Sequence, residues 1–374
     1  MSHLAMRDDV PPDARQPATA ADPLGPVRAV SAAVVELRRG APVALRAGTA
    51  LMLVAVETAS EASLALLDGR GSGPARLLLT ALRGNAVLGS QPNDAEPVAI
   101  WLSPSEHAPQ VLRSLADPTM EQARHRWTPA PAPDGAAAAL ALVKLARLLP
   151  AAVAVPVIDW AGLATVTPAE VLGYPQAIAS NLQLVSEARV PLEDARDSRV
   201  LAFRGLDGGP EHLAILIGHP ETAAAPLARI HSECFTGDVL GSLRCDCGPQ
   251  LRDAIRRMAQ EGCGVLLYLA QEGRGIGLAN KLRAYAMQDR GLDTVDANRA
   301  LGWEADERSF PVAAAMLRAL GIARVRLLTN NPEKVAALAD HGIAVERHSL
   351  LVAANGVNDS YLATKAIRFG HLAS

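Results

Sequence analysis

Residues 229–250 read RIHSECFTGDVLGSLRCDCGPQ, and this stretch holds three of the four cysteines of the chain. Ten residues separate Cys234 from Cys245, and one residue separates Cys245 from Cys247. Thiolates are common zinc ligands, and catalytic zinc sites use three protein ligands and leave a fourth position for water. The spacing therefore favours a zinc site, and the lack of an obvious fourth ligand favours a catalytic one.

Two other interpretations of this cysteine-rich stretch stay open. A structural zinc site would need a fourth protein ligand, and His231 is the nearest candidate. Three buried thiols without a metal are the other possibility. Charged neighbours such as Arg244 and Asp246 are too polar for a plain core segment. A catalytic zinc would lower the pKa of its bound water to roughly 7 and supply hydroxide at neutral pH.

Length, composition and charge narrow the class of protein. The chain has 374 residues, enough for two domains, with 49% hydrophobic and 20% charged residues, as in globular proteins. The formal net charge of -3 argues against nucleic acid as a partner, although a local basic pocket for one phosphate chain is compatible with it. Four cysteines do not make a disulfide framework, and clustered cysteines in a reducing compartment are typical of metal ligands.

The N-terminus and the apolar runs predict where the protein resides. Residues 1–25 are polar, rich in Pro and Ala, and lack the apolar core of a signal peptide, so they are predicted to form a disordered tail. The longest apolar run, residues 136–154, is broken by Lys144, Arg147 and Pro150 and is not a membrane span. We therefore expect a cytoplasmic protein with no membrane partner.

The first region, residues 26–190, is rich in Ala, Leu and Val and poor in residues that do chemistry. Its patterns predict a helix from Val27 to Gly40, a helix N-capped by Thr167, and the following further elements. Strands are predicted for PVALRAG, ALMLVAVETAS, VAIWLSPSEH and AVAVPVIDW, and helices for GPARLLLTALRG, PTMEQARHR and AAAALALVKLARLLP. Its scattered carboxylates form no metal-binding pair, so a scaffold is favoured over an active site.

The second region, residues 191–374, predicts an α/β domain. Residues 199–218 are typical of a β-hairpin with its turn at Asp207, and GPQLRDAIRRMAQEG is an amphipathic helix that ends at Gly262. Strands and helices alternate from residue 264 to residue 347, which gathers loops at the strand ends, where ligands bind. The predicted fold is α/β, with two domains that are each a mixed sheet covered by helices.

A glycine-rich loop follows the predicted strand GVLLYLA. Gly273, Gly275 and Gly277 alternate with other residues between this strand and a helix, a pattern that lets backbone N–H groups approach a phosphate. The spacing is not that of the dinucleotide motif, and a simple tight turn is an equal alternative. Glu272, which can accept from a base or ribose, and Arg274, which can clamp phosphate oxygens, favour a ligand.

Three polar residues lie on the helix after the glycine loop. An ordinary solvated face explains Lys281 and Arg283 as well as a binding role does. Tyr285 is compatible with a core aromatic whose hydroxyl is satisfied.

Two further segments carry candidate site residues. Asp306 lies two residues before Arg308, so an extended segment would direct a base and a cation into one pocket, although a salt-bridged surface loop is an equal alternative. The predicted strand RVRLLTNNP ends at Thr329, and Lys334 lies in the first turn of the next helix. A cation there opposes the helix dipole, which indicates an anionic ligand.

Four stretches of the second region together resemble GTP cyclohydrolase II, a zinc enzyme that opens riboflavin biosynthesis. They are RIHSECFTGDVLGSLRCDCGPQL, QEGRGIGLANKLRAYAMQDRG, DTVDANRALGWEADER and LLTNNPEK, and the resemblance runs from about Val190 to the end. It implies conversion of GTP to a diamino-pyrimidinone ribosyl phosphate, formate and pyrophosphate. It also implies Zn²⁺ on Cys234, Cys245 and Cys247, attack at C8 of guanine, Mg²⁺ on the GTP phosphates, and a homodimer.

The resemblance also assigns roles to individual residues. Asp306 matches the proposed proton acceptor, Arg308 the proposed nucleophile at the α-phosphorus, and Tyr285 the tyrosine that favours full conversion over arrest at a formamido product. A guanidinium stays protonated, so clamping the phosphate charge is the simpler role for Arg308. The implied GTP contacts are Arg229, Ile230, His231, Ser232, Glu233, Gln250, Glu272, Gly273, Arg274, Thr294, Thr329 and Lys334.

The first region resembles a degenerate dihydroxybutanone phosphate synthase, a domain often fused ahead of this one. ELRRGAPVALRAG and AAAALALVKLARLLP fall where that enzyme has corresponding elements. Its acidic motif is missing from RAGTALMLVAVETAS, and its histidine–threonine pair is missing from PDGAAAAL. The resemblance therefore implies a non-catalytic domain. The alternatives are a bifunctional enzyme, a paralogue in pyrimidine catabolism, and a non-enzymatic zinc module.

Overall fold

The structure is a computed structural model that describes residues 24–89, 96–103, 106–122, 126–350, 355–359 and 368. The predicted tail lies almost wholly outside these residues. Two seven-stranded mixed sheets, each with its own helices, form two α/β domains, which confirms the predicted fold class. Within the described ranges, no helix is long and apolar enough to cross a membrane.

The first sheet has the strand order β5-β4-β3-β6-β2-β1-β7 and is antiparallel except for the β1/β7 pair. Its strands are β1 (Val43–Leu45), β2 (Leu51–Ala55), β3 (Arg76–Leu79), β4 (Val98–Trp101), β5 (Pro129–Ala130), β6 (Ala151–Pro156) and β7 (Thr165–Val166). Its helices are α1 (Gly25–Arg39), α2 (Glu61–Arg70), α3 (Ala81–Leu88), α4 (Pro109–Ala116), α5 (Ala136–Leu145) and α6 (Pro168–Ser180).

Most of the local signals in the first domain correspond to observed boundaries. Helix α1 ends at Gly40, whose φ of 78° is in the left-handed region that a glycine C-cap adopts. Helix α6 begins with a capping box, in which Thr167 accepts from the Glu170 N–H and Glu170 accepts from the Thr167 N–H. These helix ends are therefore set by residues that the sequence alone identifies.

Two predicted helices of the first domain were wrong. GPARLLLTALRG forms strand β3 followed by helix α3, because three fully buried leucines pair between β4 and β6 and burial outweighs the helical preference of leucine. The segment PTMEQARHR contains no helix over residues 118–122, and residues 123–125 lie outside the described part of the chain.

The second sheet has the strand order β14-β13-β11-β12-β10-β9-β8. Its strands are β8 (Gln183–Arg189), β9 (Ser198–Arg204), β10 (His212–Ile217), β11 (Leu227–Ser232), β12 (Gly264–Leu269), β13 (Arg324–Leu328) and β14 (Ala344–His348). Its helices are α7 (Cys247–Glu261), α8 (Leu278–Gln288), α9 (Thr294–Ala300), α10 (Pro311–Ala319) and α11 (Pro332–Ala339). The predicted hairpin is β9 and β10, and the strand before it, β8, already belongs to this sheet.

The two halves of the second sheet differ in direction. Strands β8, β9, β10 and β12 are antiparallel, whereas β12, β11, β13 and β14 are parallel. The carboxyl ends of parallel strands meet at one edge, and ligands bind there in open α/β sheets. Every stretch that the sequence singled out follows one of these ends or lies next to it.

The two domains share a hydrophobic core. Ile276, Ala284 and Trp303 of the second domain belong to the same buried cluster as residues of β2, β3 and β6 in the first. Arg283 on α8 crosses the junction as well, 2.9 Å from Glu57 and 3.0 Å from Asp117. The glycine loop and helix α8 are therefore packed directly against the first domain.

Candidate functional site

The candidate site lies at the carboxyl ends of the three parallel strands β11, β12 and β13. Strand β11 ends at Ser232 and leads into the cysteine stretch, while β12 ends at Leu269 and leads into the glycine loop. Strand β13 ends at Leu328 and is followed by Thr329 and helix α11. The sheet thus brings together segments that are separated by up to a hundred residues of sequence.

The three cysteines form a cluster that fits a zinc ion. The sulfurs of Cys234, Cys245 and Cys247 all lie within 4.8 Å of one another, and those of Cys234 and Cys245 are 3.8 Å apart. Two thiolates at the usual Zn–S distance of about 2.3 Å in a tetrahedral site are about 3.8 Å apart. Among the described residues, no histidine or carboxylate joins this cluster. The donor set therefore fits a three-thiolate site with an open fourth position.

Gly237, inside the short π-helix Phe235–Val239, shapes the cysteine cluster. Its N–H points at Cys234 Sγ, 3.3 Å away, and a Cβ at this position would lie 2.6 Å from Cys245 Sγ and 3.0 Å from Cys247 Cβ. Only glycine leaves room for all three sulfurs here. The glycine was not singled out from the sequence, where it is one of 29.

His231 is not a fourth metal ligand. Its Nε2 lies 3.0 and 3.1 Å from the carboxylate oxygens of Asp238, and burial lowers the pKa of the ring. Asp238 also accepts from the Cys234 N–H and the Tyr268 hydroxyl, each at 2.9 Å. Asp238 therefore fastens the start of the cysteine loop to β11 and β12, and the structure excludes the four-ligand interpretation that used His231.

Glu272 connects the glycine loop to the cysteine loop. One carboxylate oxygen accepts from the Phe235 N–H at 2.6 Å, and the other accepts from the Gly273 N–H at 2.8 Å and from Lys281 Nζ at 2.9 Å. Both oxygens are thus occupied by the protein. Lys281 also lies 3.0 Å from Cys234 Sγ, so it does not belong to an ordinary solvated face.

The Lys281 ammonium balances the negative charge of a thiolate in the cysteine cluster. Hydrogen bonding to the other two thiols lowers the pKa of Cys234, and the Lys281 ammonium lowers it further. Burial opposes the charge of Lys281, but Glu272 and Cys234 together raise its pKa above the usual value. The cluster is thereby prepared for a thiolate, the form that binds metals.

The glycine loop adopts the conformation that its glycines allow. Gly273, Gly275 and Gly277 have φ values of 64°, 97° and 87°, and Arg274 between them has a φ of 61°. Positive φ is unusual for a non-glycine residue and is typical of functional sites. The strained loop directs Arg274 to the same space as the cysteine cluster.

The segments described above line one open cleft. Its volume is about 1140 Å³, which includes space that is open to solvent. All predicted site residues line it except Ile230 and Asp306. Ile230 is buried in the core, and its carbonyl accepts from Lys334 Nζ at 2.8 Å. Tyr285 lines the cleft 3.4 Å from the Thr236 hydroxyl, so it is not simply a core aromatic.

The cleft is strongly cationic although the chain is slightly acidic. Of the residues that the structure describes, two carboxylates line it, those of Glu233 and Glu272. Six cations from the same part of the chain line it, namely Arg229, Arg244, Arg274, Lys281, Arg308 and Lys334. Burial lowers the pKa of Arg229 to about 10, which still leaves it protonated at neutral pH. Such a focused positive field suits a polyanionic ligand.

Three buried polar atoms in the cleft wall have no hydrogen-bond partner among the described residues. They are Arg229 Nε, Ser232 Oγ and Asn331 Nδ2. A buried polar group without a partner costs roughly 1–3 kcal/mol. A polar ligand that reached these atoms would remove this cost.

Asp306 and Arg308 form a pair at the edge of the cleft. The Arg308 guanidinium donates from Nε at 2.8 and 3.0 Å and also from a terminal nitrogen to the Asp306 carboxylate. Burial would raise the pKa of Asp306, but Arg308 lowers it below its ordinary value. Asp306 therefore holds the arginine that lines the cleft, as a bidentate partner.

Sequence reasoning missed several residues that build this site. Asp238 is recognisable in the sequence only as a polar neighbour of the cysteines, and Tyr268 carries no local signal, because their role depends on contacts between β11, β12 and the cysteine loop. Asn331 could have been found from the asparagine pair after β13, which ends the strand and caps helix α11. Arg244 was noticed only as a polar neighbour, yet it lies over the Tyr285 ring at 5.2 Å.

Comparison with known proteins gives a consistent family. A family model described as GTP cyclohydrolase II matches residues 183–349. The chain is 46% identical to GTP cyclohydrolase-2 of Azospirillum brasilense over 98% of this chain and 99% of that protein, and 41% identical to that of Xylella fastidiosa over 91% and 86%. The Haemophilus influenzae protein of the same name is 52% identical over 51% of this chain and 89% of its own length.

Among solved structures, the chain is similar to a two-domain 3,4-dihydroxy-2-butanone 4-phosphate synthase from A. baumannii. The identity is 18%, the TM-score is 0.32, and the match covers 86% of this chain and 99% of that one.

Proposed function

The chain belongs to the GTP cyclohydrolase II family, the enzymes of the first step of riboflavin biosynthesis, and from this premise we propose a zinc-dependent reaction on GTP. Its products would be a diamino-pyrimidinone ribosyl phosphate, formate and pyrophosphate. The observation that carries the proposal is the three-thiolate cluster in the wall of a cationic cleft. Cys234, Cys245 and Cys247 would hold the zinc ion. Zinc bound there would activate water near neutral pH for opening of the guanine ring.

The residues of the chain itself would bind and orient the nucleotide. The triphosphate suits the cationic wall, where Arg274, Arg308 and Lys334 present charge from three different segments. Arg308, held in place by Asp306, would clamp the charge that develops as pyrophosphate leaves. Asp306 can take up a proton only when this ion pair loosens, because Arg308 lowers its pKa.

The guanine base of GTP would lie near the cysteine cluster. Glu233 lines the cleft, and burial raises the pKa of its carboxyl group. The Glu233 carboxyl group accepts a hydrogen bond from the Glu272 backbone, and its position in the cleft wall suits the polar edge of a base. The unpartnered Ser232 hydroxyl beside it would gain a hydrogen bond from the ligand.

Further parts of the proposal follow from the family resemblance. Mg²⁺ would bind the β- and γ-phosphates, since magnesium prefers oxygen ligands and substrate phosphates. Residues 26–190 would be a non-catalytic domain and residues 191–374 the catalytic one, in a cytoplasmic homodimer. Turnover of ribulose 5-phosphate would instead show a bifunctional enzyme.

An anaerobic assay tests the proposed reaction. Zinc-loaded protein is incubated with GTP and Mg²⁺, and formate and pyrophosphate are followed together. Cys245→Ser should lose both products, whereas Cys263→Ser should keep them, because Cys263 is the one cysteine outside the cluster. Pyrophosphate without formate would point to loss of ring opening alone. Neither product from protein that holds zinc would refute the proposal.

A further inference from the structure

The end of helix α5 in the first domain lies against two loops of the second domain that line the cleft. Lys144 lies in the last turn of α5, and Arg147 lies two residues beyond its end. We call residues 272–277 the glycine loop and residues 304–308 the acidic loop. Both loops contain residues proposed to contact GTP or its phosphates, yet neither Lys144 nor Arg147 lines the cleft.

Lys144 holds the acidic loop from the first domain. Its Nζ lies 2.5 Å from Glu307 Oε1, an oxygen that also accepts from the Glu304 N–H at 2.9 Å. The two side chains are 19% and 20% exposed, so water screens this ion pair only in part. Glu307 stands between Asp306 and Arg308, and the lysine therefore fixes the centre of the segment that presents the arginine.

The acidic loop in turn contacts the glycine loop. The Glu307 N–H donates to the Arg274 carbonyl at 3.1 Å. A Cβ on Gly275 would lie 2.5 Å from the Glu307 carbonyl oxygen, so the two backbones touch. A shift of the acidic loop must therefore displace the glycine loop as well.

Arg147 forms hydrogen bonds on both sides of the glycine loop. Its guanidinium donates to the Ala270 carbonyl at 2.6 Å, before the loop, and its own carbonyl accepts from Asn280 Nδ2 at 3.1 Å, after it. Its side chain lies 3.4 Å from the Cβ position of Gly277. Arg147 has a φ of 57°, and the only other described non-glycine residue with positive φ is Arg274. Such strain persists where the surroundings fix a conformation.

We infer that Lys144 and Arg147 are positioning residues for the reaction in the second domain, holding the acidic loop and the glycine loop across the domain junction. The first domain thereby takes part in turnover without touching the substrate. This inference rests on the proposed function, and it gives residues 26–190 a task that requires no chemistry of their own.

The test measures kcat and KM for GTP in the full chain, with zinc content and Tm alongside. Wild type is compared with Lys144→Met, Glu307→Gln, the double variant and Lys144→Arg. Lys144→Met should lower kcat by about tenfold with little change in KM, because displaced loops impair the reaction more than binding. The double variant should be no worse than the poorer single variant, and Lys144→Arg should recover most activity.

The matched control is Arg290→Met. Arg290 also crosses the domain junction, to the carbonyls of Pro118 and Thr119, but it is exposed and remote from both loops. It should keep wild-type kcat. The inference would be overturned if Lys144→Met had the same kcat as this control. It would also be overturned if the losses of the two single variants multiplied in the double variant. A fall in zinc content that matches the fall in kcat would overturn it as well.

A second variant and a second measurement separate this inference from the proposed reaction. Arg147→Asn keeps a residue that tolerates positive φ but removes the guanidinium, and it should also lower kcat. Hydrogen–deuterium exchange of residues 304–308 should be faster in Lys144→Met than in wild type, whether or not the protein turns over GTP. Unchanged exchange would refute the positioning role, whereas an inactive wild type would refute only the proposed function.

Discussion

Replacing Gly237 by alanine tests whether the three sulfurs hold a metal in the observed arrangement. The added Cβ would lie 2.6 Å from Cys245 Sγ and 3.0 Å from Cys234 Sγ. An ordinary contact begins near 3.4 Å, so Cys245 would have to move by about 0.8 Å. Metal sites tolerate changes of only about 0.2 Å in ligand distance, so such a displacement is too large for the bound metal.

The size of the effect follows from the cost of overpacking. Inserting one methyl group into a closely packed site costs about 1–3 kcal/mol. If this cost falls on the metal-bound state, zinc binding weakens by about 10- to 100-fold, since each 1.4 kcal/mol is a factor of ten. The atoms that the added Cβ would meet belong to the three cysteine side chains and not to the sheet, so the fold itself should persist.

The measurements are zinc content after dialysis against a competing chelator, Tm, and release of formate and pyrophosphate from GTP. Gly69→Ala is the control, because a Cβ there meets no atom within 4 Å and the backbone is not in the left-handed region. It should behave as wild type. A Gly237→Ala protein that retains one zinc per chain and full activity would refute the proposed three-thiolate geometry.

Three further predictions concern stability and the metal. Arg283→Met should lower the free energy of unfolding by about 2–3 kcal/mol in urea titrations, because the largely buried carboxylates of Glu57 and Asp117 lose their ion pair with Arg283; Arg290→Met should cost much less. Burial lowers the pKa of His212 from 6.5 to about 4, so only the unfolded chain binds this proton between those pH values. Stability should therefore fall by up to about 3 kcal/mol as pH drops through this window, and less in His212→Gln, as unfolding at pH 7, 5 and 4 would show. Removing zinc with a selective chelator under excess Mg²⁺ should abolish both products, and added zinc should restore them; activity that survives would contradict the zinc assignment.

The α/β class, the two domains and most of the elements follow from local patterns in the sequence. Hydrophobic period and capping are local, so α1, α6 and the hairpin of β9 and β10 could be predicted from neighbouring residues alone. The cysteine spacing and the glycine motif likewise pointed to the cysteine cluster, Glu272 and Arg274, whereas contacts such as Gln250 and Thr294 were expected only from the family resemblance. Strand β3 was mistaken for a helix, because leucine suits both structures and only pairing on both sides decides between them.

How these residues act depends on contacts between segments that are distant in sequence. Glu272 was expected to face the ligand, yet its oxygens join two loops, and His231 was a candidate zinc ligand, yet it binds Asp238. For Lys281 the sequence left a solvated face and a binding role equally open, and Lys144 was only a charge that interrupts an apolar run, yet each is held against a partner distant in sequence. Hydrogen bonds and ion pairs act over about 3 Å, and the packing of the sheets and of the two domains determines which distant residues come that close.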